Sequence, residues 1–340
     1  MARQRKSQAS ETRDVARVAV VITPCAEEAA LRAALIGVAE RCGYTWRDET
    51  GLIGDYASSL ERRVVLLCSD ASLLRGVPLT QSVVIAGPIN DAGRAAATRH
   101  GWSEREGLIH ATRCLAFASE FVEKGVNVSI FSSDRLASDA AKGFQAVVEA
   151  LGLSPDAIDQ LQLLDLFSSR QFVRVRGAPV EPVLSLFRGG LSNPSGPAWW
   201  PRSLFWSDRA DATCPEIIDI TGRSRVLFFG PYITLPAGHW QINVRFAVCK
   251  EAARRRYLFE VIANDATVAH AHLWPSDTGN YAIPLDFVAK RPAVVEIRMT
   301  LITASLHGEI RLAGAEITRM AVSSPSEERT IVRDLGLPVS

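Results

Sequence analysis

Up to about residue 176, apolar runs of strand length alternate with segments of helical period, and from residue 216 apolar and polar positions alternate singly. Val15 to Ile22 reads as a strand buried on both faces. Thr23-Pro24 then predicts a helix start, with Thr23 as N-cap, Pro24 in the first helical position and Glu27 and Glu28 in the first turn. That helix runs to about Arg41, carries Leu31, Leu35 and Val38 on one face, and stops at Gly43. Further strands are expected at 64–68, 82–86 and 126–131, and helices at about 107–123 and 138–151. Alternation of this kind predicts a parallel sheet with helices on both faces.

Periodicity is lost from 177 to 215, where Gly and Pro recur around Trp199, Trp200 and Trp206. This reads as a connector whose indoles seal a groove between two domains. Beyond it, Trp240, Ile242, Val244, Phe246 and Val248 alternate with polar or small residues, as do Val295, Ile297, Met299 and Leu301. Eight strands are expected, at 216–220, 225–230, 240–249, 256–263, 267–273, 281–288, 293–302 and 308–319. Turn signals such as Asn264-Asp265 separate them, and the spacing predicts an antiparallel jelly-roll-type β-sandwich. The expected organisation is a tail at 1–14, an α/β domain at 15–176, the connector, a sandwich at 216–322 and a second tail at 323–340.

Composition narrows the partners more than the fold. With 47% hydrophobic and 22% charged residues the 340-residue chain reads as globular. A net charge of +1 supplies no global field for nucleic acid or an anionic membrane. The segment 1–14 lacks the apolar stretch of a secretory signal, and no apolar run nears the ~20 residues of a membrane span. Six cysteines at 25, 42, 68, 114, 214 and 249 form no CxxC pair, so free thiols in a reducing cytoplasm are expected. No cofactor and no resident metal is expected.

Two segments, VNVSIFSSDRLASDAAKGFQAVVEALGL (126–153) and VAVVITPCAEEAALRAAL (18–35), resemble the sulfotransferase family of P-loop proteins. The resemblance covers roughly 15–160 and implies a P-loop-like domain whose first turn would bind a phosphosulfate-bearing nucleotide. The residues at that turn argue otherwise. Thr23 to Ala29 contains no Gly, Lys or Arg, and Pro24 removes a backbone donor. Glu27 and Glu28 place carboxylates where the helix dipole would attract phosphate. In the stretch 83–98, Gly87 stands where the family has an Arg, and Ala replaces its Ser. Thr23, Arg94 and Arg99 are what remains of a degenerate nucleotide site, with His100 beside them. His110 and Cys114, spaced i,i+4, read as a packing face, Asp134-Arg135 as a capping turn and Trp102 as a loop anchor.

FFGPYITLPAGHWQINVRFAV (228–248), VVEIRMTL (294–301) and EIRLAGAEI (309–317) resemble the carbohydrate-binding-module-like sandwiches that accompany bacterial glycosyltransferases and polysaccharide enzymes. That resemblance implies sugar binding. Trp240 and Tyr232 belong to its framework, and Trp240 is expected in the core. The candidate ligand surface lies on VAHAHLW, where period two puts Val268, His270, His272 and Trp274 on one face. An exposed stripe of imidazoles and an indole suits hydrogen bonding to hydroxyls and ring stacking. Asp277, Asn280 and Tyr281 follow as further polar contacts. The His-x-His spacing also fits half of a zinc site, but no third ligand is evident. Lys250, Arg254, Arg255 and Arg256 mark a basic hairpin tip, either solvated or touching an anionic polymer. The sequence therefore points to a non-catalytic carbohydrate-binding or assembly protein working beside enzymes of surface-polysaccharide synthesis. The alternative is a divergent sulfotransferase acting on a glycan acceptor.

Overall fold

The computed structural model describes residues 16–49, 63–125, 127–168, 181–208 and 210–321. The expected tails at 1–14 and 323–340 and the 176/177 boundary lie outside these residues. The described chain divides into two compact units, residues 16–107 with 117–168, and residues 108–116 with 181–321. Each is taken in turn.

The first unit is α/β. Its five parallel strands are β1 (Ala16–Ile22), β2 (Thr45–Arg47), β3 (Arg63–Cys68), β4 (Gln81–Ala86) and β5 (Val128–Ser132), in the order β2-β3-β1-β4-β5. Residues 18–22 of the central strand are all buried, as a strand covered on both faces requires. Leu31, Leu35 and Val38 of α1 (Glu28–Arg41) pack on Val18, Val20, Ile22, Val65 and Leu67 in one core cluster. Phe144, Val147 and Val148 of α5 (Ala140–Ala150) belong to the same cluster. Between them in sequence lie α2 (Ala92–His100), α3 (Glu104–Lys124), whose residues 108–116 belong to the second unit, and α4 (Ser133–Ser138), and α6 (Gln160–Ser168) follows. A reciprocal capping box between Ser103 and Glu106 starts α3 three residues before the expected position.

Two sequence expectations for this unit are corrected. Thr23 does not cap α1; its backbone N–H bonds Ile85 O and its hydroxyl accepts from Gly87 N–H, which ties it to the end of β4, and the helix opens at Glu28. The strand β2 and the helix α2 are elements the periodicity did not predict, β2 because three residues carry too short a pattern.

The second unit holds two antiparallel sheets. All eight expected strands are present: β9 (Ile218–Asp219), β10 (Arg225–Leu235), β11 (Gly238–Val248), β12 (Tyr257–Ala263), β13 (Ala266–Leu273), β14 (Gly279–Ala289), β15 (Ala293–Leu301) and β16 (Glu309–Met320). The segment read as a connector supplies three more, β6 (Ala198–Pro201), β7 (Trp206–Ser207) and β8 (Ala210–Thr213). One sheet runs β13-β12-β15-β10-β7-β8, and the other runs β14-β11-β16-β6 with β9 also on β16. Trp200 is therefore a sheet residue, paired with Ala315 and fully buried, rather than part of a connector. Gly314 opposite Pro201 permits the approach, since a Cβ there would meet Trp200 O at 2.5 Å. Trp240, Ile242, Val244 and Phe246 fill the core with Tyr257, Phe259 and Val261, and Trp240 donates through Nε1 to Pro236 O at 3.0 Å. Asn264 and Asp265, both at positive φ, form the tight hairpin turn that joins β12 to β13.

Candidate functional site

In an open parallel sheet, ligands bind at the carboxyl ends of adjacent strands whose connections leave in opposite directions. Here that point lies between β1 and β4, where the chain itself occupies the space. A Cβ on Gly87 would meet Cys25 Cβ at 2.6 Å and Pro24 O at 2.8 Å, so the 23–25 turn lies directly on the β4 exit. Burial pushes the Cys25 thiol up to about 12, with the Glu27 carboxylate adding to the effect, so it is no nucleophile at neutral pH.

The start of α1 is equally closed. Glu27 and Glu28 are both buried, and Ser133 Oγ donates to Glu27 at 3.4 Å. Glu28 Oε1 accepts from Arg32 Nε at 3.0 Å, from Ser69 Oγ at 2.8 Å and from Arg99 Nη1. Glu49 Oε1 takes Arg32 Nη2 at 3.0 Å and the Ser69 backbone N–H at 2.5 Å. Two carboxylates, two guanidinium groups and a hydroxyl thus balance one another. Of the candidate nucleotide residues, Thr23 is buried and bonded to Gly87, and Arg99 is committed to Glu28. Arg94 stands exposed on α2, its charge opposing the upward push that burial gives the Asp91 carboxyl. His100 stacks on Trp102 at 4.1 Å. A cavity of about 450 Å³ in this unit lies elsewhere, against Leu74, Leu79, Phe117 and Phe121 with the Arg75–Glu120–Lys124 ion pairs at its wall.

The stripe on β13 has a different character. Because Tyr257, Phe259 and Val261 of β12 face the core, cross-strand register turns Leu258 and Glu260, and with them His272 and His270, to the outer face. Val268, His270, His272 and Trp274 are all exposed, and Leu273 is buried. β13 is an edge strand, so the stripe borders open solvent. The His270 and His272 rings are 6.2 Å apart and roughly perpendicular. Among the described residues no three His, Cys, Asp or Glu side chains are grouped to hold a metal ion.

Asp277 is exposed beside the stripe, its Oδ1 accepting from Thr278 N–H at 2.7 Å, and Asn280 is exposed too. Tyr281 must be struck from the surface set. It is 5% exposed, stacks on Phe246 at 6.0 Å, and its hydroxyl donates to Asp277 O at 2.7 Å. Its role is to tether the 275–281 loop from the core side. Trp274 offers less stacking surface than the sequence suggested, because Arg256 Cζ sits 4.0 Å from its ring centroid and covers one face.

Strand pairing also aligns residues that no single-strand pattern connects. His270 opposes Glu260, Glu260 opposes Arg298, Arg298 opposes Phe229 and Phe229 opposes Trp206, a row across five strands. Its polar half is braced by Glu296, which accepts from Arg298 Nε at 3.1 Å and Nη2 at 2.8 Å. Its aromatic half is Trp206 stacked on Phe229 at 6.2 Å with Tyr232 at 5.5 Å from Trp206. Burial, and then the Glu296 charge, push the Tyr232 phenol up.

No family model matches this chain, and no curated protein does. Solved structures similar to it include the CBM36-1 domain of a multidomain xylanase from the hindgut metagenome of Trinervitermes trinervoides, at 9% identity and a TM-score of 0.25, covering 37% of this chain and all (100%) of that one. Mouse sulfotransferase SULT7A1 complexed with PAP is similar at 14% identity and a TM-score of 0.32, over 46% of this chain and 64% of that one. A sulfotransferase from Alicyclobacillus acidocaldarius is similar at 13% identity and a TM-score of 0.29, over 43% and 84% respectively. The three structures named are one carbohydrate-binding module and two sulfotransferases, each with a TM-score below 0.5.

Proposed function

We propose that this protein is a non-catalytic carbohydrate-binding protein that recognises a glycan on the outer face of the β13-edged sheet. The observation that carries the reading is the exposure of His270, His272 and Trp274 together on an edge strand whose other face closes the core. Imidazoles offer both donors and acceptors to hydroxyls, and the uncovered face of an indole takes the apolar face of a sugar ring. Asp277 adds an acceptor at the end of the stripe. In this reading the α/β unit is a scaffold, because Glu27 and Glu28 stand where a nucleotide phosphate would have to sit. No helix among the described residues is long and apolar enough to cross a membrane. Work in the cytoplasm beside enzymes of surface-polysaccharide synthesis completes the proposal, supported by the resemblance of 228–248 to sandwiches that accompany such enzymes and by the scattered cysteines.

A glycan array probed with the full chain and with Trp274→Ala tests the reading. Glycans bound by the wild type and lost by the variant, at equal melting temperature, are the expected result. An adenine nucleotide bearing a phosphosulfate is expected to leave the melting temperature unchanged. Its binding at low micromolar concentration would restore the sulfotransferase reading.

A further inference from the structure

We propose that the glycan recognised by this stripe is acidic, and that Arg256 is the residue that selects its carboxylate or sulfate; this rests on the carbohydrate reading above. Arg256 directly precedes β12, and the pairing of Tyr257 with Leu273 carries on to set it opposite Trp274. Its backbone is held on both sides of the peptide, with N–H to Thr303 Oγ1 at 3.5 Å and its carbonyl accepting from Ile302 N–H at 2.9 Å. The guanidinium then sits over the indole, Cζ 4.0 Å from the ring centroid.

A guanidinium carries its N–H donors as a rigid planar fork, and contact with the indole holds that of the exposed Arg256 beside the stripe. Such a fork matches two oxygens of one carboxylate or sulfate, which a point charge cannot do. The contrast with the neighbouring arginine is informative. Arg298 spends its Nε and Nη2 on Glu296, whereas Arg256, which is exposed, has no ion-pair partner among the described residues. Exposed Arg254 and half-buried Arg255 adjoin it, so three arginines stand at this end of the stripe against the single exposed carboxylate of Asp277. Glu260, which lies between His270 and Arg298, places a carboxylate farther along the stripe, away from Arg256.

Titration of the full chain with oligogalacturonates, heparin oligosaccharides and neutral cello-oligosaccharides tests the proposal and separates the two anionic groups. The expected result is binding of a carboxylated or sulfated series, weakened about ten- to hundred-fold by Arg256→Gln, the scale of charge-assisted hydrogen bonds. Arg256→Lys should restore only part of it. Arg254→Gln serves as a control of equal charge change and should cost far less. Neutral oligosaccharides bound as tightly as acidic ones would overturn the inference and leave the carbohydrate reading standing; no binding of any series would overturn both. Equal losses from Arg254→Gln and Arg256→Gln, or equal affinity for a DNA oligonucleotide, would reduce the patch to a plain polyanion surface and overturn the proposal.

Discussion

Glu28 shows how one side chain can close a site that the fold would otherwise offer. The amino end of a helix attracts an anion, and here the anion is built into the chain and met by Arg32, Arg99 and Ser69. Removing it leaves two partly buried guanidinium groups with one carboxylate, Glu49, between them. Glu28→Ala should therefore lower stability in chemical denaturation by about 2–3 kcal/mol, below the range for a fully buried pair because Arg99 retains 35% of its side-chain exposure. A loss under half a kcal/mol would mean that water already solvates the cluster. Cysteine reactivity offers a second check at this scale. Cys42 and Cys249 are half-buried, whereas Cys25, Cys68, Cys114 and Cys214 are buried. Burial raises the thiol pKa of Cys25, Cys68 and Cys214. Brief alkylation of the native protein should label Cys42 and Cys249 first, and early labelling of Cys25 would contradict the closed 23–25 turn. Glu27 and Glu28 were visible in the sequence as obstacles to phosphate. Ser69, Glu49 and Arg32 were not, because they meet only through tertiary packing.

Elements were legible in proportion to their length. The alternation from Trp240 to Val248 in β11 announced itself, as did the turn at Asn264-Asp265. The four residues of β6 did not, because Pro and Gly around them mask any period and the strand exists through its pairing with β16. Trp200→Ala tests that assignment. A fully buried indole should cost about 3–5 kcal/mol when truncated. A near-neutral effect in urea unfolding would show that β6 is not part of the sheet. For β13 the period told which residues share a face but not which face meets water, and the register with β12 settles it. Tyr281 was misplaced for an instructive reason. Ile283, Leu285 and Phe287 alternate in step with it, so its own strand's parity already pointed inward.

At the scale of the molecule, an α/β unit and an antiparallel sandwich follow from the change of hydrophobic period, whereas the strand order β2-β3-β1-β4-β5 comes from tertiary pairing. What the period could not convey is the row from His270 to Trp206, since it joins strands far apart in the chain. The central claim is that the outer stripe binds a glycan while the α/β unit serves as scaffold. Its most direct test is a calorimetric titration of an array-selected oligosaccharide into the wild type and the His270→Ala/His272→Ala double variant. Both histidines are exposed, so their removal should leave the melting temperature unchanged. The expected loss of affinity is at least about tenfold, the scale of one or two hydrogen bonds. Unchanged affinity in the double variant, or a folded wild type that binds no oligosaccharide, would contradict the claim.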